Sequence, residues 1–349
     1  MSGPFGSQQW ISASNGSGGD AGASLRLNTN KHLSRTPTTV GDKKAWTFSC
    51  WVKKCVNSKE QTIFSASTDQ ANRFSLRFTA KDELETFSWR SGSWQWRYRT
   101  SQLFRDTSAW YHIVLVLNTG NANESDRVRL YVNGERITDF INQIAPSQSI
   151  TNTLVNTLCE HEIGWDRNKS DAPLVYLDSY IAEVQLVDGT GLTPENFYEN
   201  SAGALTPKKY EGSYGTNGFY LDFAGGAVNP SDSSGNGNNW ESTNVLATDL
   251  VLDSPFNNFA VLNPLDAKDG AFSEGNLKFT STVISSHQIG SSSICTTFKS
   301  GKWYAEFLCN ETYAARVGIT PINSKNDQRL GKDGFSYKSD GDAYSLDVL

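Results

Sequence analysis

The chain has 349 residues, with 37 acidic against 31 basic side chains and a formal net charge of −6; this balance excludes general nucleic-acid binding, which needs clustered Lys and Arg to neutralise phosphates. Five cysteines, odd in number and without a Cys-x-x-Cys pair, exclude a disulfide framework and a structural zinc site, and fit buried thiols in a reducing cytosol. No apolar run approaches the ~20 residues of a membrane span, and the N-terminus lacks the basic and apolar regions of a signal peptide.

Ten tryptophans, 29 glycines and one methionine describe an aromatic, turn-rich chain, and the length predicts two domains. Residues 1–22 are rich in Ser, Gly, Asn and Ala, with Phe5, Trp10 and Ile11 as the sizeable apolar groups. Too little surface can be buried there to offset ordering entropy, so a flexible arm is expected, with Phe5 and Trp10 as anchors if it orders on a partner.

Order begins near Ala23, where Leu25 and Leu27 alternate against Arg26. The alternation sharpens at Trp46, Phe48, Cys50 and Val52 on one face and Thr47, Ser49, Trp51 and Lys53 on the other. Phe74, Leu76 and Phe78 repeat it. Phe87 to Arg90 and Trp94 to Arg99 flank Ser91-Gly92-Ser93, which predicts a hairpin. Ile113 to Leu117 is aliphatic and half β-branched, a strand buried on both faces. Val128, Leu130 and Val132 then alternate with Arg127, Arg129 and Tyr131, one face for the core and one for water. Asn133-Gly134 supplies the positive φ values of a two-residue hairpin turn.

Glu162-Ile163-Gly164 and Val175 to Val187 read as further strands. Thr193-Pro194-Glu195 predicts a short helix to about Glu199, with Thr as N-cap and Pro at the first helical position. Tyr214 to Leu221 holds one more strand, and Asn229 to Asn239 is a loop by composition. Residues 226–268 are expected to form a linker. Beyond it, Leu277 to Ile284, Trp303 to Leu308 and Arg316 to Thr320 read as strands, with a hairpin turn at Asp340-Gly341. The chain stops at Leu349 inside an apparent strand, so a second β-sandwich over 269–349 is expected to be incomplete. Many short strands with turns between them predict an all-β fold, an antiparallel sandwich or jelly roll.

Three segments, Ala45-Trp-Thr-Phe-Ser-Cys-Trp-Val52, Trp110-Tyr-His-Ile-Val with Arg129-Leu-Tyr-Val-Asn-Gly134, and Tyr180-Ile-Ala-Glu-Val184 with Leu192-Thr-Pro-Glu195, carry a resemblance. Their order and spacing resemble the laminin G-like branch of the concanavalin A-like jelly rolls, over a domain placed at 23–225. That resemblance implies two packed antiparallel sheets and a glycan or protein ligand. Tyr180 to Gly189, Pro207 to Leu221, Asp232 to Trp240 and Asp253 to Pro264 are similar to a block found in structural proteins of tailed phages, marine ones notably. Ser300-Gly-Lys-Trp-Tyr-Ala-Glu-Phe307 with Arg316-Val-Gly-Ile319 resembles the start of a SPRY-like sandwich. The block implies a virion component assembled in the host cytoplasm, a tail fibre, spike or capsid appendage.

Glycan hydrolases of this fold carry Glu-x-Asp-x-x-Glu on a strand, and the chain has no such spacing. Asp82-Glu83-x-Glu85 reads as a solvated turn. His112 and His161 have no nucleophile motif or ligand spacing and read as structural, His161 with a pKa raised by Glu160 and Glu162. Asp232-x-Ser-x-Asn and Asp340-x-Asp are oxygen-rich but lack a full calcium ligand set, so no metal and no cofactor are expected.

The best ligand-binding candidate is the hairpin with Trp89, Arg90, Trp94, Trp96, Arg97, Tyr98 and Arg99. Alternation puts Trp94, Trp96 and Tyr98 on one face and Gln95, Arg97 and Arg99 on the other. Aromatic rings stack on pyranose faces while Arg and Gln bond hydroxyls or acidic groups. The same residues also suit a core with arginines at its rim, or a protein interface. The expected function is a non-enzymatic phage virion structural protein that binds neighbouring virion subunits and a host surface glycan, as a homo-oligomer gaining avidity. Two alternatives stay open, a glycan depolymerase of the concanavalin A-like class and an architectural subunit without external ligand.

Overall fold

A computed structural model describes residues 22–166, 175–201, 204–282, 291–294, 307–308, 316–319, 335–338 and 341–344. The expected arm anchors Phe5 and Trp10 lie outside these residues. The chain divides into two units, Met1–Phe259 and Ala260–Leu349. In chain order the strands of the first are β1 (Ser24–Leu27), β2 (His32–Arg35), β3 (Ala45–Lys54), β4 (Gln61–Asp69), β5 (Asn72–Phe78), β6 (Glu83–Arg90), β7 (Ser93–Leu103), β8 (Tyr111–Asn118), β9 (Val128–Val132), β10 (Glu135–Arg136), β11 (Phe140–Ile144), β12 (Glu160–Ile163), β13 (Ser179–Asp188), β14 (Tyr198–Ser201), β15 (Ala204–Pro207), β16 (Phe219–Leu221), β17 (Glu241–Thr243) and β18 (Leu250–Val251).

They build an all-β jelly-roll sandwich. The first sheet runs β10-β9-β8-β3-β13-β1-β18, with β16 paired to β13, and the second runs β11-β7-β6-β5-β4-β12-β2-β17. Period-two alternation sends Trp46, Phe48, Cys50 and Val52 of β3 and Ile113, Leu115 and Leu117 of β8 inward. They meet Phe64, Phe74, Leu76, Phe78, Trp96 and Tyr98 of the second sheet. Phe48 stacks on Phe64 at 4.5 Å, and Trp46 meets the edge of Phe74 at 5.6 Å, so aromatic pairs bridge the layers. The turns form as their residues require, with positive φ at Ser91 and Gly92 and at Asn133 and Gly134. Cys50, Cys55 and Cys159 are buried and stand outside any disulfide.

The outer face of the first sheet differs from expectation. Tyr131, read as facing water, is buried with Val114, Val116, Val187, Phe197, Tyr214 and Tyr220. A neighbouring cluster joins Trp51, Trp110, Tyr180 and Ala182 to Tyr198, Leu205 and Val251. After β13 the chain folds back over this sheet and dries it. The predicted helix at Thr193 is accordingly a single 3-10 turn, Pro194–Asn196, without a side-chain cap from Thr193. Extended backbone from Tyr198 onward serves the cover better, because it lays Phe197 and Tyr198 onto the sheet.

Much of the segment expected as a linker also belongs to the sandwich. β17 extends the second sheet beside β2, β18 extends the first beside β1, and Trp240 enters the core against Phe219 at 4.9 Å. In the Asn-rich loop the Asp232 carboxylate accepts from the backbone N–H groups of Tyr220, Ser234 and Asn238 and from the Ser234 hydroxyl. Asn238 Oδ1 accepts from Arg35. Of the oxygens that suggested a cation site, those of Asp232 and Ser234 are thus engaged by N–H and O–H donors, as turn chemistry requires.

In the second unit Leu262–Lys268 pairs with Ser291–Ile294, Gly270–Ser273 with Lys278–Ser281, and Phe335–Lys338 with both Arg316–Ile319 and Ala343–Tyr344, all antiparallel. The expected strand at Trp303 lies outside the described residues except for Phe307 and Leu308, which are not in a strand, and Asp340 of the expected turn also lies outside. No helix among the described residues is long and apolar enough to cross a membrane.

Candidate ligand-binding face

The outward face of the second sheet is the counterpart of the covered one, and β5, β6 and β7 write its chemistry. Arg77, Glu85 and Arg99 stand opposite one another across the three strands, as do Ser75, Phe87 and Arg97 in the next row. Trp89 pairs with Trp94 at the hairpin end. One residue breaks the expected alternation. Ser88 faces Trp96 while Trp89 faces Trp94, so Gln95 is the extra residue of a β-bulge in β7. The bulge turns Trp94 away from Trp96 and Tyr98 and onto the outer face beside Arg97.

Arg90 pairs with Ser93 beside the turn, and of the other six candidates Trp89, Trp94, Arg97 and Arg99 therefore share the outer face. Trp96 and Tyr98 do not, being 1% and 2% exposed in the inter-sheet core. Simple alternation placed Trp94 with them because it cannot register an inserted residue. On the outer face Trp94 packs edge-on against Trp89 at 4.5 Å and Phe87 at 5.4 Å, and the Arg97 guanidinium lies 4.6 Å over its ring. Arg77 and Arg73 lie over the buried Phe87 ring at 4.8 Å and 5.7 Å.

Glu85 ties this array together. Its Oε2 accepts from Arg77 Nε at 2.9 Å and Nη2 at 2.7 Å, and its Oε1 accepts from Arg97 Nε at 2.8 Å and Arg99 Nε at 3.0 Å. Arg77 also bonds Glu60, and Arg73 reaches Asp166 at 3.5 Å. Burial by itself pushes the Glu85 carboxyl up, but Arg77 and Arg97 overcome it and hold the group below the ordinary carboxylate range. The acidic run is thus the reverse of a solvated turn. Asp82 and Glu85 are fully buried and Glu83 nearly so. Asp82 pairs with buried Lys54 at 2.8 Å, and Glu83 accepts from the Thr79 hydroxyl at 2.8 Å. These acids place cations and close a turn.

The face can stack a flat or apolar ring surface on Trp89 and Trp94 and offer it fixed guanidinium donors. Arg97 and Arg99 use Nε on Glu85, which directs the rest of each fork outward; Arg97 is 19% and Arg99 26% exposed. Arg73, Arg77, Glu85 and Phe87 were missed as site residues. Their signal was present as the alternating Arg73-x-x-x-Arg77 and Glu85-x-Phe87-x-Trp89, but which alternating face stays outside is not encoded locally.

His112 and His161 are structural. His161 Nε2 accepts the Asn156 N–H at 3.1 Å while Nδ1 faces the Cys159 carbonyl at 2.9 Å, a pattern for the neutral ring. Burial pushes its pKa down to about 4, opposite to the expected effect of the flanking acids. His112 is buried against Trp51 at 4.8 Å, with Ser49 Oγ 2.9 Å from Nε2, and burial pushes it down to about 3. Among the described residues no group of three or more His, Cys, Asp or Glu is placed to hold a metal. A shallow hollow of about 340 Å³, lined by Glu195, Asn196, Lys208, Tyr210, Glu211 and Gly212, lies on the cover of the first sheet and lacks a Trp plate.

The family model for the concanavalin A-like lectin/glucanases superfamily matches residues 19–195. Among solved structures, a candidate carbohydrate-binding protein from Bacteroides ovatus is similar at 14% identity, over 64% of this chain and 59% of that one, with a TM-score of 0.46. A heptameric SAP-like pentraxin from Limulus polyphemus is similar at 15% identity, over 50% of this chain and 78% of that one, with a TM-score of 0.36. The enzymatically active domain of tailspike protein 2 from bacteriophage CBA120 is similar at 14% identity, over 50% of this chain and 26% of that one, with a TM-score of 0.34. The chain thus spans 59% of the length of the first of these proteins and about a quarter of the last. No curated protein matches the sequence.

Proposed function

The chain belongs to the concanavalin A-like lectin/glucanases superfamily, and from that premise we propose that it is a non-enzymatic binding protein that holds a glycan on the outer face of its second sheet. The observation that carries the proposal is the pair Trp89 and Trp94 beside Arg97 and Arg99, all set in place through Glu85 and the Gln95 bulge. Preorganised rings and guanidinium forks lose little entropy on binding, which suits a ligand of flat sugar faces and hydroxyl or acidic groups. A carboxylate held by three guanidinium groups has no proton to give and a weak pull on one, so Glu85 is a poor acid or base. This favours binding over glycan hydrolysis at this face.

The wider setting we propose is a tailed-phage virion, as part of a tail fibre, spike or capsid appendage assembled in the host cytoplasm. The phage-like block from Tyr180 to Pro264 supports it. Its partners are then other virion subunits and a host surface glycan, with homo-oligomers supplying multivalency. The test is a Trp94→Ala, Arg97→Ala double variant on a glycan array and in host-cell adsorption. Glycan retention falling at least roughly tenfold with the fold intact supports the proposal. Unchanged retention and adsorption would sink it and leave the architectural reading.

A further inference from the structure

Lys53 is fully buried on the outer face of β3. Its Nζ stands 2.8 Å from Asp253 Oδ2, 2.7 Å from Asn258 Oδ1 and 2.7 Å from the Phe259 carbonyl oxygen. Trp110 Nε1 donates to Asp253 Oδ1 at 3.2 Å, and the Phe259 N–H reaches the same oxygen at 3.3 Å. Asn258 Nδ2 donates to the Ser108 carbonyl at 2.9 Å, which fixes the amide plane. The Tyr180 ring lies 5.8 Å from Nζ. A buried primary amine and a buried carboxyl group thus meet a half-buried carboxamide beside Trp110 and Tyr180. The carboxamide carbon is one bond beyond the oxygen that the amine touches.

We propose that Lys53 and Asn258 join in an intramolecular isopeptide bond, with Asp253 moving the proton. Lys53 Nζ attacks Asn258 Cγ, and the Nζ–Cγ bond forms. Asp253 in its acid form bonds to the carbonyl oxygen and steadies the charge that develops there. The carboxyl group then passes the proton from the attacking nitrogen to Nδ2, the Cγ–Nδ2 bond breaks, and ammonia leaves. No oxidant, metal or co-reactant is required. Burial lowers the Lys53 amine against the opposing pull of Asp253, and burial raises the Asp253 carboxyl against the pull of Lys53. Both directions favour the neutral amine and protonated acid that the step begins from.

The bond would tie positions 205 residues apart, from a central strand of the first sheet to a point two residues before the second unit begins. Any pull transmitted along the chain from the second unit would then meet a covalent joint before it reached β18. The competing occupant of this geometry is an ordinary ammonium ion satisfied by three acceptors, and mass separates the two.

The experiment is intact-mass measurement of the denatured full chain, followed by peptide mapping. The expected result is a mass lower by one ammonia than the sequence mass, and a branched peptide joining the Lys53 and Asn258 segments. Asp253→Ala should slow formation of that branch roughly a hundredfold or more, and Lys53→Arg should abolish it. A wild-type chain of full sequence mass, with Lys53 and Asn258 in separate peptides, overturns the proposal whether or not the variants fold. Loss of water with a Lys53 to Asp253 branch would overturn the assignment of Asn258 as the electrophile.

Discussion

Glu183 sits in a bulge of β13 with a left-handed backbone, φ 53°, and its buried carboxylate accepts the Tyr220 hydroxyl at 2.6 Å. Burial lifts its pKa to about 7, with Tyr220 opposing and Asp222 adding to the rise. The folded state therefore holds this proton more tightly than the unfolded chain. Its stabilising effect is full below the unfolded carboxylate value and is lost as pH rises through about 7. We expect Glu183→Gln to flatten this dependence, so that the wild type loses about 3 kcal/mol relative to the variant between pH ~4.5 and ~7.5. Urea denaturation of both proteins across that range measures it, and a constant difference would refute the assignment. His112 and His161 act in the opposite sense, losing stability as pH falls below ~6.5, but they do so equally in both proteins and cancel. Glu85 supplies a second residue-scale prediction. Glu85→Ala leaves Arg77, Arg97 and Arg99 crowded without their shared anion, and should cost about 3–5 kcal/mol by denaturant titration. It should also weaken glycan retention, because the forks lose their aim.

At the scale of elements, two glycines separate backbone strain from collision. Gly134 has φ +83° in the hairpin between β9 and β10, and a Cβ there would lie 3.0 Å from the mobile end of Tyr198. Gly218 leads into β16, where a Cβ would lie 1.9 Å from the Tyr214 carbonyl oxygen and 2.7 Å from that of Leu186. Backbone cannot rotate aside as a side chain can. Gly134→Ala should therefore cost about 1–2 kcal/mol and Gly218→Ala about 3 kcal/mol or more, an order that thermal denaturation of the two variants checks. The second position matters to the whole cover, since β16 holds Tyr220 over Glu183 and Phe219 against Trp240. The same scale explains the candidate face. The bulge at Gln95 is an element-level event that moves Trp94 from the core side to the site side while leaving Trp96 and Tyr98 in place.

For the molecule as a whole, the sandwich is completed late in the chain. A fragment of residues 23–259 should unfold cooperatively, whereas one of 23–225 lacks β17, β18, Trp240 and the Asp253 partner of buried Lys53, and should lose its cooperative melt by circular dichroism. Equal melts would show the 226–259 segment to be dispensable. The sequence by itself determined the all-β class, the two-sided burial of β8, the core face of β9, and the hairpin turns at Ser91-Gly92 and Asn133-Gly134, because alternation and positive-φ residues act over a few neighbouring positions. It also marked Trp89, Trp94, Arg97 and Arg99 as candidates, together with Trp96 and Tyr98, which lie in the core. Only the tertiary structure decided which of the two outward faces stays open, since burial of Tyr131 and Lys53 depends on chain that returns from beyond residue 190. It likewise decided that Asp82, Glu83 and Glu85 are buried. Their cations come from Lys54, Arg77, Arg97 and Arg99 on other strands, and local spacing cannot express a partner supplied across a sheet.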